Sequence, residues 1–108
     1  QKKEESDSKY KERSITARKI LAAEYESIGK PESIAMLRLK KGLSQQNLAN
    51  KIKTSQSHIA KIEDGSIKLY FQTAARLADA LEISLDRLRN LVKVEASDNI
   101  KTSVIVEL

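Results

Sequence analysis

No cysteine occurs in the 108 residues, so the fold has neither a disulfide staple nor a thiolate zinc site. Three glycines are too few for a loop that cradles phosphates, and no nucleophile motif or paired-carboxylate site is visible. The single histidine, His58, lacks the partners that a metal or catalytic role needs. Tyr10, Tyr25 and Phe71 are too scattered to form a stacking platform for single strands. Apolar runs are too short to cross a bilayer and no signal-peptide pattern opens the chain. These absences exclude most enzyme classes. They lead us to expect a cytoplasmic protein with no cofactor and no metal. Gln1 is not a natural start, so part of the native N-terminus is expected to be missing.

What is present is charge, unevenly spread. Twenty Lys/Arg face fifteen Asp/Glu, for a net charge of +5, and a sequence pI near 9.5 permits a polyanionic partner without demanding one. Residues 31–65 carry six basic and three acidic side chains, whereas residues 94–108 carry one basic and three acidic. Over residues 1–30, basic and acidic side chains interleave to a net +2, the pattern of a solvated helix more than of a DNA-binding arm.

Periodicity divides the chain into three parts: an arm at 1–30, a domain at 31–93 and a tail at 94–108. Residues 1–8, QKKEESDS, lack apolar anchors and are expected to be disordered. From Lys9 to Ile28 neither Gly nor Pro intervenes, and Ala17, Ile20, Leu21, Tyr25 and Ile28 recur at helical spacing. Gly29 suits a left-handed cap and Pro31 the opening of the next helix.

The domain reads as five short helices. In the first, PESIAMLRLKK, Ile34 and Leu37 share an inward stripe with Lys41. Ser44 caps the second, SQQNLANKIK, with Leu48, Ala49 and Ile52 inward; Ser55 caps the third, which Gly65 ends. The fourth, FQTAARLADALEI, is expected to bury Phe71, Ala74, Leu77, Ala78 and Leu81, and Ser84 caps the fifth, LDRLRNLV, with Leu85, Leu88 and Leu91 or Val92 inward. This is an all-α bundle. In the tail, IKTSVIVEL is β-branched and is the one strand candidate, so it must pair outside its own chain or stay loose.

The third helix, within TSQSHIAKIEDG, has an unusual outer face. Ile59 and Ile62 turn inward while Gln56, Ser57, Ala60 and Lys61 turn out. That face is too polar for a core and too uncharged for ordinary solvated surface. Together with LRLKKGLSQQNLANKI and RLADALEISLDRL, the stretch closely resembles the helix-turn-helix domain of the Cro/C1-type (XRE) repressor family.

The resemblance implies a five-helix, lambda repressor-like DNA-binding domain, extended here by an N-terminal helix and a C-terminal strand. It also implies a sequence-specific repressor that is not an enzyme and reads a palindromic operator as a homodimer. Carried over by position, Gln56, Ser57 and Lys61 would contact bases, and Ser44, Gln45 and Lys68 phosphates. Arg38 and Glu63 fall where the family keeps an internal ion pair. Three positions depart from the family pattern: Lys53 stands at the turn where glycine is usual, at a cost of about 1 kcal/mol if left-handed; Leu69 replaces a common proline; and Asp64 replaces asparagine beside the phosphate path.

The flanks carry a shorter resemblance. The segment ARKILAAEYESIGKPESIAMLRLKKGLSQ is similar to the N-terminal part of XRE-type antitoxins that pair with RelE/HigB-like ribonuclease toxins, and 103–108 to their terminal strand. It implies an autoregulating antitoxin whose Ile20, Leu21, Tyr25 and Ile28 bind a toxin. The alternative is a plain phage- or chromosome-type repressor whose arms serve dimerisation.

Overall fold

The computed structural model describes residues 2–95, which form six helices and one pair of short strands. The long helix α1 (Lys2–Ser27) is followed by α2 (Ile34–Lys40), α3 (Gln45–Lys51), α4 (Gln56–Asp64), β1 (Leu69–Tyr70), α5 (Phe71–Leu81), α6 (Leu85–Arg89) and β2 (Val94–Glu95). The expected terminal strand at 103–108 lies outside the described residues.

Serines set the helix starts. Ser44, Ser55 and Ser84 each cap the following helix, their hydroxyls accepting the N–H of Asn47, His58 and Arg87. Ser33 does the same for α2 through Met36, so Pro31 lies ahead of the cap instead of opening the helix. The α3–α4 turn passes through Lys53 at φ 59°, so this lysine does take the left-handed conformation that glycine usually supplies.

Leu48, Ile59, Leu77 and Leu88 meet at the centre of the five-helix domain, with Ala49, Ala74 and Ala78 letting the helices approach closely. Phe71 does not join them. It is 39 % exposed, because Leu69 of β1 fills the adjoining core position and Tyr70 turns the chain into α5. The tail beyond residue 99 is not the one strand candidate after all: Leu69 pairs with Val94 and Tyr70 with Glu95 in a parallel ladder, with α5 and α6 forming the crossover that parallel pairing needs. A second unforeseen device ends α5. Glu82 takes φ 58°, and its carboxylate sits 2.7 Å from the Lys41 ammonium, which holds its pKa below the usual glutamate range.

The arm folds back on the domain, and on a different face from the one its apolar residues mark. Helix α1 begins at Lys2, because no Gly or Pro interrupts its Lys- and Glu-rich start, so residues 2–8 are helical where disorder is expected from the sequence. Ala22 is buried on α1, and Met36 and Leu39 are buried on α2, outside the main core. The Arg18 Nε donates to the Gly42 carbonyl at 2.8 Å, and Glu26 pairs with Lys40 at 2.8 Å. Ile20, Leu21 and Ile28 stay exposed, while Tyr25 is half-buried with the Lys30 ammonium 4.9 Å from its ring centroid.

Gly42 is where α1 seats. Its φ is 74°, and a Cβ built there would meet Ile15 Cγ2 at 2.6 Å. The Gly42→Ala change should therefore cost about 1–3 kcal/mol in urea unfolding, from overpacking and left-handed strain together. In an Ile15→Ala background the packing part should disappear. An equal cost in both backgrounds would show that α1 does not seat on Gly42.

Candidate nucleic-acid interface

The candidate site grows from one ion pair. Arg38 on α2 and Glu63 at the end of α4 meet with Nε–Oε2 at 2.6 Å and side chains 10 % and 9 % exposed. The Arg38 Nη2 donates to Glu63 Oε1 at 3.2 Å and its Nη1 to the Leu43 carbonyl at 2.9 Å. A charge so placed must be paired and hydrogen-bonded, and here both conditions hold. The pair is the internal one that the sequence resemblance implies.

Glu63 then orders two glutamines. Gln45 Nε2 donates to Glu63 Oε1 at 3.0 Å, and Gln56 Nε2 donates to Gln45 Oε1 at 2.9 Å. An ionised carboxylate can only accept, so Gln45 must present its amino group to Glu63 and its carbonyl to Gln56. The orientation of both amides follows. Each amide NH2 has two protons, so Gln56 keeps one N–H and its carbonyl oxygen, and Gln45 keeps one N–H. One donor beside one acceptor is what bidentate pairing with adenine N7 and N6 requires. A spare donor on Gln45 suits a phosphate oxygen.

The remaining candidates divide by position. Ser57 and Lys61 are exposed on the same face of α4 as Gln56, with small Ala60 between them. Ser44 stands beside Gln45 and closes a capping box with Asn47. Its hydroxyl oxygen accepts from the Asn47 N–H, which leaves the hydroxyl proton to donate. Lys68 stands apart, on the loop after α4, with its ammonium 3.6 Å from Glu95.

Two unusual residues beside this face become structural. Asp64 accepts from the Ser66 N–H at 2.8 Å and shapes the turn after Gly65; Ser66 hydrogen bonds, with Lys61 nearby, hold its pKa below the usual aspartate range. His58 Nδ1 is 2.7 Å from the Thr54 hydroxyl and ties α4 to the turn before it. The chain from Glu63 to Gln56 went unread in the sequence. Its signal was there: Gln56 and Glu63 are seven apart, two turns along one stripe of α4.

A family model described as helix-turn-helix matches residues 34–88, just over half of the chain. The protein belongs to the helix-turn-helix family of Cro/C1 (XRE) type. This is a family of DNA-binding regulators, normally not enzymes. The helix-turn-helix match opens on the first residue of α2 and closes within α6, so α1 and the tail lie outside it. A search of characterised proteins finds no match to the chain. In the helix-turn-helix pair itself, α3 and α4 flank the Lys53 turn, and the Gln45–Gln56 bond spans the two helices. Among the described residues no helix is long and apolar enough to cross a membrane.

Proposed function

We propose that this protein is a sequence-specific transcriptional repressor that binds a palindromic operator as a homodimer, with α4 laid in the major groove. Gln56, Ser57 and Lys61 read bases, while Ser44, Gln45 and Lys68 hold phosphates. The observation that carries the proposal is the Gln45–Gln56 hydrogen bond at 2.9 Å. It couples a phosphate donor to a base reader and leaves each with the groups its task needs. Two-fold symmetry follows from half-sites set about one helical turn apart, roughly 34 Å. Helix α6, the tail, or both close the dimer.

A second reading extends the first. Ile20, Leu21 and Ile28 stand exposed on α1, outside the helix-turn-helix match, and such a face suits docking into a groove of a partner protein. In this reading the repressor is the antitoxin of a RelE/HigB-like toxin and represses its own operon. Changing Ile20, Leu21 and Tyr25 to polar residues would then abolish rescue from a co-expressed toxin and keep operator binding. Joint loss of rescue and operator binding would mean that these residues support the domain itself.

Operator recognition is tested by titrating the protein with a duplex selected from a random pool and with its single-base variants. Gln56→Ala should cost about 1–3 kcal/mol and relax preference at one position of each half-site. Ser57→Ala should do so more weakly. Gln45→Ala should weaken all sequences through the lost phosphate contact and, by freeing Gln56, relax part of the preference at the Gln56 position. Lys61→Ala should alter preference if it meets guanine, or lower the salt slope by about 0.9 per half-site if it meets phosphate. A Gln56→Ala protein that binds as tightly and selectively as the parent would refute α4 as the reader.

A further inference from the structure

A groove of about 660 Å³ lies between α1 and α3. Lys11, Ser14 and Arg18 line it from α1, and Ser44, Asn47 and Lys51 from α3 and its cap. Lys41, whose ammonium pairs with Glu82, lies at the α2–α3 turn beside them, and no acidic residue is among the groove's lining. The arm's basic and acidic residues interleave along the sequence, but within residues 9–30 folding brings Lys11 and Arg18 to the groove and leaves Glu12, Glu24 and Glu26 outside its lining.

From this we infer that α1 is a second phosphate ledge: the groove receives the DNA backbone just beyond each half-site, with Lys11 and Ser14 as its contacting residues. The inference rests on the DNA-binding reading above and deepens it. The groove is continuous with the proposed interface, since Ser44 belongs to both. Its ligand is a polyanion, because its charged lining is of one sign. An open trough built along a helix suits a run of phosphates better than a single enclosed ion. Arg18 is the positioning residue. Its hydrogen bond to the Gly42 carbonyl fixes α1 against the turn that leads into Ser44. The helix that lies outside the family match thus lengthens the footprint without adding base specificity.

The test uses the full chain and two duplexes derived from its own selection: one ending at the outer edge of each half-site, one continuing a few base pairs further. The parent should bind the longer duplex more tightly and with the steeper dependence of log Kd on log salt. Lys11→Gln should lower that slope by about 0.9 per half-site on the longer duplex, since one phosphate neutralisation is lost there. Lys11→Arg should restore it. Base preference should be the same in all three proteins. Lys11 is exposed, so an unchanged circular dichroism spectrum should accompany the loss. If Lys11→Gln keeps the full slope, or if the parent does not distinguish the two duplexes, the ledge is refuted while operator recognition stands. If the parent enriches no duplex from the pool, the DNA-binding reading fails and the ledge with it.

Discussion

The Arg38–Glu63 ion pair is the constraint on which the rest depends. Withdrawing a guanidinium and a carboxylate from water costs several kcal/mol each, offset only by close geometry and by hydrogen bonds to the remaining donors and acceptors. Here the offset comes from three directions: the Leu43 carbonyl, the bidentate contact itself and the Gln45 amide. Removing either partner would leave a charge stranded, at a cost of about 3–5 kcal/mol. The pair therefore fixes α2, the α2–α3 turn, α3 and the end of α4 in one arrangement. An acceptor that cannot donate then dictates the direction of every amide hydrogen bond out to the exposed end of the chain.

That polar chain links stability to function. Gln56 lies on the surface, where a free glutamine would sample many rotamers. Tied to Gln45, it loses that freedom before any ligand arrives, and a preorganised donor–acceptor pair binds at lower entropic cost. The Ile59 and Ile62 side chains anchor the opposite face of α4 in the core. One side of the helix holds it down and the other presents its polar atoms. Ala60 keeps the outer surface shallow between the two turns. Glu32 and Arg87 add a similar tie at the far end of the domain, where the loop before α2 meets α6, and the Arg87 guanidinium holds the Glu32 carboxyl below its usual range.

Local signals were legible in the sequence because they act over one turn. Ser44, Ser55 and Ser84 each needed only a backbone N–H three residues on, and each has one. Leu48, Ile59, Leu77 and Leu88 showed at helical spacing and are buried. Lys53 was marked by its place in the turn. What escaped depends on distant partners. Leu69 and Val94 pair only because α5 and α6 bring them together, and two-residue strands leave no alternation to read. Phe71 satisfied the period of its helix but sits in the first turn, where Leu69 had already taken the core. The arm misled for a chemical reason: Ile20, Leu21 and Ile28 stay exposed, and it docks through Ala22, the approach of Ile15 to Gly42 and an arginine hydrogen bond. In the site, individual residue types were readable, and the hydrogen-bond chain that orders them was not.

We propose that the outer face of α4, oriented through Gln45 and Glu63, is the surface that meets DNA. The most direct test is nitrogen-15 NMR of the full chain titrated with its selected duplex, following backbone amides and the side-chain amides of Gln45 and Gln56. We expect the largest shifts at Gln56, Ser57 and Lys61 and in the Gln45 side chain, with the middle of α5 unmoved. Shifts concentrated on α5 and α6, with the two glutamine side chains silent, would contradict the account.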